Sequence, residues 1–319
     1  MLILFEILFD VERRLQISLK KTIELMTKMM RQNLSKIDNL AEKISEIRAL
    51  VLEEYAKNPE QIFEEDLKRI DDDWCVERFL RRCRTVKDSS EMLINTLKWV
   101  HDLELFRLKD SDFPEEFFKI GAIFCSANDR KGNGVVFLRI RLHRKVKELE
   151  RKIKQFIIYQ IIKMDLKTNG NGMAIVFDCK GAGFASLDMD MIWFLVSSLL
   201  NHFPYGMDYI LVHELPWIFQ SAWGIVKGWL PAETRKRIKF ASTDQLLEYF
   251  DRANLPKYLG GTCDLNYHHV PKGCLSAIEY GERAGLTPKE VNRILKIFQP
   301  LIDEAMEEES EQHLTSSVN

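Results

Sequence analysis

The spacing of apolar residues changes along this chain, and each spacing predicts a type of secondary structure. Between Ile23 and Val51 the apolar residues fall three or four positions apart, as on one face of an amphipathic helix. The helix is predicted to end at Asn58-Pro59, because the residue before a proline avoids helical geometry. The same spacing suits a coiled-coil seam or a helical protein partner. We favour packing of this face on the chain's own body.

The pattern remains helical from Pro59 to about Arg107. The sequence Asp88-Ser89-Ser90 is typical of a helix start, since these side chains accept hydrogen bonds from the first free backbone amides. We therefore expect a small helical subdomain over residues 59–110, preceded by a helical extension over residues 1–58.

Four short runs of β-branched and aromatic residues then alternate with helical patterns. The predicted strands are 135–140, 173–178, 209–213 and 237–241, with helices over 145–167 and 186–201. A glycine-rich turn at 129–134 leads into the first of these strands. Strands joined by helical crossovers form a mainly parallel sheet covered by helices, so the predicted fold class is α/β, with its main domain over 115–263.

Residues 264–319 are predicted to form a carboxy-terminal extension. The stretch from Asp264 to Cys274 has no clear period. Thr287 begins a closing helix, because Pro288 suits the first turn and Glu290 completes a capping box. The acidic tail from Glu307 is expected to fray.

The most unusual segment, over residues 217–230, is rich in aromatic and aliphatic residues. On a helix, Phe219, Trp223 and Val226 share one face, with Trp229 beside them. Composition alone favours a core helix. The alternative is a mobile lid whose inner face covers an apolar ligand and whose outer aromatic residues enter a membrane interface.

Composition narrows the classes of function. The chain has 46 Lys and Arg against 48 Asp and Glu, so it has no overall field for nucleic acid, and any membrane contact must be local. Six scattered cysteines lack the close spacing of zinc or redox sites, which predicts reduced thiols and a cytoplasmic protein. The apolar start carries Glu6 and lacks a basic region and a cleavage site, so we expect no signal peptide. No apolar run reaches the roughly 18 residues of a membrane span.

Candidate catalytic and metal sites are weak. The glycine clusters at 132–134, 170–172 and 181–183 lack the other residues of nucleotide-binding loops and are interpreted as turns. His213 ends a strand with no nucleophile elbow nearby, which favours a hydrogen-bonded histidine over a general base. Adjacent His268 and His269 point in opposite directions on an extended chain, which disfavours metal binding. We predict no catalytic residues, no metal and no cofactor, and a protein that is not an enzyme.

A basic triplet, Arg235-Lys236-Arg237, follows the 217–230 segment. A solvated turn is the interpretation favoured for it. Because they follow an apolar helix, these three basic residues are also candidates for binding a lipid phosphate or anionic headgroups at a membrane.

A series of motifs runs through the chain in a fixed order. They are Asp72-Asp73 with Arg78-Phe79-Leu80-Arg81-Arg82, Val176-Phe177-Asp178 with Gly181, Phe203-Pro204, Ile210–Val212, Pro216-Trp217 with Phe219, Trp223 and Trp229-Leu230, Lys239-Phe240, and Leu255-Pro256 with Gly260-Gly261. Together, over about Asp72 to Cys263, they resemble the CRAL-TRIO family of lipid-transfer proteins. The subgroup that looks most alike is the lipid-binding half of motile sperm domain-containing proteins.

The resemblance implies a helix that gates a hydrophobic cavity floored by the sheet, and it reverses the interpretation of residues 217–230. The gating-helix candidates become Phe219, Trp223, Val226 and Trp229. The lipid-pocket candidates are Phe137, Val176, Asp178, Trp193, Leu211, His213 and Trp217. A cavity with apolar walls suits an acyl or isoprenoid ligand.

The positions that bind the lipid headgroup in related proteins match this chain only in part. Phosphoinositide-handling members carry an acidic residue where this chain has Tyr205, and a basic residue that Arg237 matches. Tocopherol-type members carry basic residues where this chain has Gly206 and Asp208. Phosphatidylinositol is therefore not assigned from the sequence.

The expected function is binding of a hydrophobic small molecule or phospholipid and its transfer between membranes, with transient contact with a membrane surface. The alternative is an adaptor that uses the lipid-binding fold as a contact surface and recruits a protein partner through the Ile23–Val51 helix.

Overall fold

The computed structural model describes residues 39–168 and 172–317. Of residue 127 and residues 311–317 it describes the backbone alone. The described residues form two compact units. One contains those up to Pro59 together with Leu67–Ile94, and the other contains Glu60–Asp66 and those from Asn95 onward.

The first unit is helical, as predicted. Helix α1 covers residues 39–57 and ends just before Asn58-Pro59, and its residues Ile44, Ile47 and Val51 are buried. The part of the predicted face between Ile23 and residue 38 lies outside the described residues. The short helix α2 (Glu64–Leu67), of which only Leu67 belongs to this unit, and helix α3 (Asp73–Cys83) follow in the chain.

Helix α4 (Val86–Asp102) begins before the predicted start. The hydroxyl of Thr85 accepts a hydrogen bond from the amide of Asp88 (3.1 Å), so Thr85 serves as the cap. Ser89 and Ser90 lie inside the helix and donate to the carbonyls of Thr85 and Lys87. The prediction of Asp88-Ser89-Ser90 as the helix start was wrong because serine hydroxyls also bond to carbonyls one turn back.

The second unit is built on a five-stranded mixed sheet. Its strands are β1 (Ile123–Asn128), β2 (Gly134–Arg139), β3 (Met173–Asp178), β4 (Met207–His213) and β5 (Ile238–Ala241), adjacent in that order. The pairs from β2 to β5 are parallel, which confirms the predicted α/β class. Strand β1 pairs antiparallel with β2 and was not predicted. Its Cys, Ser, Ala and Asn residues carry little β-propensity, and a hairpin to β2 places it in the sheet.

Helices cover the sheet. They are α5 (Glu115–Lys119), α6 (Glu150–Thr168), α7 (Met189–His202), α8 (Gln220–Trp229), α9 (Ala232–Lys236) and α10 (Leu246–Tyr249). On one side of the sheet, Leu138 and Ile175 pack with Ile157 of α6 and Leu195 of α7. On the other side, the residues that pack together are Phe137, Val176, Leu211, Phe250, Leu255 and Leu259. Both sides of the sheet are therefore buried. We call them the cavity face, which carries Leu138, and the opposite face, which carries Phe137.

Two helices follow the main domain. Helix α11 (Ala277–Arg283) was not predicted, whereas α12 (Pro288–Ser317) begins where the capping box predicted it. The amide of Thr287 donates to the Glu290 carboxylate (2.7 Å). The prediction of a frayed tail from Glu307 was wrong at Glu308, which is part of the helix and whose carboxylate binds the buried Arg139. Among the helices of the described residues, none is both long and apolar enough to cross a bilayer.

Candidate functional site

A cavity of about 260 Å³ lies on the cavity face of the sheet. Every strand contributes to its wall, and the strand residues that line it are Ile123, Leu138, Arg139, Phe177, Met207, Ile210, Val212 and Ile238. Helices α6 and α7 close it with residues such as Ile153, Phe156, Met191 and Leu195. Nearly all of these side chains are hydrocarbon, so the cavity offers an environment that favours apolar ligands over water.

Helix α8 covers one part of this cavity, as the resemblance implied for a gating helix. Three of the four gating-helix candidates, Phe219, Trp223 and Val226, line the cavity, together with Ala222 on the same helix. The fourth, Trp229, lies outside the lining and packs edge-on against Trp193, with ring centroids 4.9 Å apart.

The pocket prediction chose the wrong side of the sheet. Phe137, Val176 and Leu211 are fully buried on the opposite face, whereas their neighbours Leu138, Phe177, Ile210 and Val212 line the cavity. Successive side chains of a strand point to opposite faces of the sheet. A prediction that is shifted by one residue therefore assigns every side chain of the strand to the wrong face. Because both faces are buried, these strands are apolar throughout and show no alternation in the sequence.

Asp178 and His213 also lie away from the cavity lining. The Nδ1 atom of His213 is 2.8 Å from the Asp178 carboxylate, and its Nε2 atom is 3.1 Å from the hydroxyl of Thr243. The imidazole has no exposed surface. The interpretation of His213 as a hydrogen-bonded strand-end histidine is confirmed, and its assignment to the lipid pocket is wrong.

Both tryptophans that were predicted to line the pocket lie at the surface. Trp217 is 79% exposed and Trp193 is 51% exposed, and neither lines the cavity. The aromatic composition of residues 217–230 could not show which rings point inward, because this depends on how the segment packs on the sheet.

The basic triplet follows helix α8 in the chain, on helix α9 and the residue after it. Arg235, Lys236 and Arg237 are all exposed. Lys236 pairs with Glu233 (2.8 Å), and Arg237 donates to the carbonyl of Met207 (2.7 Å). The guanidinium of Arg237 also lies 6.0 Å from the ring centre of Tyr205, so part of its bonding capacity is already used.

A polar patch at one part of the cavity wall was missed by sequence reasoning. His143 and Asp188 both line the cavity and bind each other, with Nε2 and Oδ2 3.3 Å apart. Burial lowers the pKa of His143 although Asp188 opposes this change, so the imidazole is neutral near neutral pH. Asp188 also accepts hydrogen bonds from the amides of Asp190 and Met191 as the cap of α7. The sequence feature that could have pointed to Asp188 is the helix-cap pattern Ser186-Leu187-Asp188.

Three further wall residues come from outside the predicted lid and strands. Phe117 of α5, Ile120 and Phe298 of α12 all line the cavity. Local sequence gives no sign of this role, because the three are brought together only by the packing of α5 and α12. No group of three metal-ligating side chains occurs within residues 39–168 and 172–317.

Comparisons with known proteins add to this geometry. The family model for the CRAL/TRIO domain matches residues 118–261. The chain is 28% identical over 211 residues to phosphatidylinositol transfer protein CSR1 of Eremothecium gossypii, covering 63% of this chain and 48% of that protein. It is 26% identical over 222 residues to CRAL-TRIO domain-containing protein C3H8.02 of Schizosaccharomyces pombe, covering 66% and 50%. The chain thus spans about half the length of these curated relatives.

The crystal structure of Sfh5 is similar with a TM-score of 0.47 and 18% sequence identity, covering 66% of this chain and 78% of that one. The particular likeness to motile sperm domain-containing proteins stays a prediction. The family match covers the five strands, helix α8 and the closing Gly260-Gly261 motif. Residues 118–261 therefore form a CRAL/TRIO domain.

Proposed function

We propose that this protein binds a hydrophobic small molecule or a phospholipid in the cavity and transfers or presents it between membranes. The observation that carries the proposal is an apolar cavity that touches all five strands and is covered by one short helix. The protein makes or breaks no bond in this process. Each methylene group moved from water into such a cavity gains about 0.8 kcal/mol, which is enough to hold a hydrocarbon chain without any charged contact.

The cover over the cavity has the properties of a gate. Helix α8 lies between Pro216 and Pro231, and its ends are anchored by the buried side chains of Phe219 and Leu230. Between these anchors no residue of the helix is fully buried. A helix held mainly at its ends opens at a lower cost than one packed along its whole length. We propose that α8 opens when the protein meets a membrane.

The surface around the gate suits that encounter. Trp217 at the start of the gate, Ile225 on its outer side and Phe240 on the neighbouring strand expose apolar surface, and Arg235 and Lys236 lie close by in the chain. Indole rings partition to the membrane interface, and basic side chains attract anionic headgroups. We propose transient, peripheral membrane contact through this surface, and a cytoplasmic location because all six cysteines are free thiols.

The nature of the headgroup is left open by this proposal. The CSR1 relative is named a phosphatidylinositol transfer protein, which supports a lipid ligand. In this chain the wall groups His143 and Asp188 bind each other, and Arg237 is engaged by the Met207 carbonyl. The adaptor alternative gains no support from the structure, since a cavity filled with side chains would have favoured it and the cavity is open.

Native mass spectrometry of the purified protein, followed by lipid analysis of what it releases on denaturation, tests the proposal. We expect one stoichiometric class of apolar or phospholipid ligand. A persistent ligand-free mass after incubation with mixed membranes would contradict the proposal.

Two neighbouring residues of the gate provide a matched pair of variants. Ala222 is half-buried and lines the cavity, whereas Ser221 is exposed. Ala222→Trp should fill the cavity and lower lipid affinity about tenfold or more, since overpacking costs 1–3 kcal/mol. Ser221→Trp, with the same ring on the outer side, should leave lipid affinity unchanged. Equal affinities for the two variants would show that the ligand does not bind beneath α8.

A further inference from the structure

The cavity runs across the sheet from one edge to the other. Strands β1 and β5 are the two edges of the five-stranded sheet, and both contribute wall residues, Ile123 and Ile238. Four inter-strand spacings of about 4.8 Å separate them, or roughly 19 Å. The gate lies towards the β5 edge, because Trp223 packs against Phe240 of β5 with ring centroids 5.1 Å apart.

Aromatic side chains line the cavity near the β1 edge, where Ile123 of β1 packs against their cluster. Phe298 of α12 and Phe117 of α5 line the cavity there, and their rings meet edge-on with centroids 6.1 Å apart. Phe117 packs in turn on Phe156 of α6, at 5.3 Å. Phe298 is buried and belongs to the same core cluster as Phe117 and Phe156. The far wall is therefore part of a packed core, unlike the gate.

Helix α12 is held in place by two ion pairs beyond Phe298. Glu304 binds Arg141, and Glu308 binds the buried Arg139 at the end of β2 (2.7 Å). Helix α12 follows the segment that matches the CRAL/TRIO model, which ends at residue 261. This chain thus closes its cavity with a residue that lies outside the matched domain.

We propose that Phe298 sets the maximum length of the hydrocarbon chain that the cavity accepts. The inference rests on the proposed function, because it requires a ligand that enters beneath α8 and extends towards the β1 edge. A chain that reaches Phe298 has filled the apolar space, and additional methylene groups must remain outside. Phe298 is thus a specificity-determining residue.

The test is the affinity of the full chain for a homologous series of unbranched primary alcohols, measured by displacement of an environment-sensitive dye. In the wild type, affinity should rise about fourfold per methylene group, the equivalent of about 0.8 kcal/mol, up to a limiting length and then level off. Phe298→Ala should move that limit to longer alcohols. Phe298→Leu, which keeps a larger apolar side chain in the core, should move it by less.

Leu301→Ala is the matched control. Leu301 lies on the same helix and in the same buried cluster but does not line the cavity, so its truncation should weaken packing without moving the limiting length. An unchanged limit in both Phe298 variants, with wild-type affinity for shorter alcohols, would overturn the role of Phe298. Binding of no alcohol by the wild type, while membranes still supply a lipid in native mass spectrometry, would overturn the role of Phe298 alone. Binding of neither alcohol nor lipid would overturn the proposed function, and the role of Phe298 with it.

Discussion

The Nη2 atom of Arg139 donates a hydrogen bond to Oε2 of Glu308 over 2.7 Å, and this contact joins strand β2 to the C-terminal helix α12. The Arg139 side chain is only 1% exposed. Its guanidinium also lies over the rings of Tyr258 and Tyr267, and the Tyr267 hydroxyl donates to the same carboxylate. A buried cation needs such partners, because an unpaired charge in an apolar surrounding is costly.

The burial of this pair predicts a large effect of removing its acid. Glu308→Ala should lower the free energy of unfolding by about 3 kcal/mol, because it leaves Arg139 buried without its counter-charge. Glu304→Ala, one turn earlier on α12, removes a carboxylate that is 44% exposed and should cost roughly 0.5 kcal/mol. Urea unfolding of both variants measures the difference. Equal losses would mean that the burial of Arg139 does not determine the strength of the pair.

A buried histidine predicts a dependence of stability on pH. His202 stacks on Trp99 at 4.1 Å and contacts the Thr96 hydroxyl through Nδ1 (3.1 Å). Burial lowers its pKa from 6.5 to about 4. Between these values the unfolded chain binds a proton that the folded protein does not, so stability is present above pH 6.5 and is lost as the pH falls towards about 4.

His202→Gln should reduce this loss, because glutamine does not titrate. The measurement is the change in unfolding free energy between neutral and mildly acidic pH, compared between the variant and the wild type. His269→Gln, which replaces an exposed histidine, is the control variant. If the His202→Gln variant kept the pH dependence of the wild type, the His202 imidazole would be protonated to the same extent in the folded and the unfolded protein.

The two glycines of the gating helix predict how fast ligand exchanges. Gly224 and Gly228 are exposed, and a Cβ atom at either position would meet nothing within 4 Å. Alanine favours a helix over glycine by about 1 kcal/mol, so Gly224→Ala and Gly228→Ala should each stabilise α8 without a clash. If α8 unwinds as it opens, transfer of fluorescent lipid between vesicles should slow by about fivefold per substitution.

Gly183→Ala is the control for this experiment, since it also adds a methyl group in open space but is not part of α8. It should leave the transfer rate unchanged. Unchanged transfer in both gate variants, with increased thermal stability, would indicate that α8 moves as a rigid body.

Adjacent residues of β3 test which face of the sheet binds the ligand. Phe177 lines the cavity, whereas Asp178 holds His213 on the opposite face. Asp178→Ala should lower the unfolding free energy by about 2 kcal/mol, because it leaves a buried imidazole without its partner, and should leave lipid affinity unchanged. Phe177→Ala should alter lipid affinity. A similar loss of affinity in both variants would return Asp178 to the lipid pocket.

The sequence by itself determined the helical character of the first unit, the positions of the four parallel strands, the capped beginning of α12 and the shared helical face of Phe219, Trp223 and Val226. Each of these features follows from local residue spacing or from a capping pattern. For example, Phe219, Trp223 and Val226 recur at the period of one helical face. The family resemblance then selected the gate over an ordinary core helix.

Only the tertiary structure decided which strand residues face the cavity and what closes its far end. Strands buried on both sides are apolar at every position, so Phe137 and Leu138 look alike in the sequence although they point in opposite directions. Phe298 reaches the cavity through the packing of α12, and Glu308 holds that helix through a residue 169 positions away. Contacts between residues so distant along the chain leave no periodic signal, because they depend on how whole elements pack together.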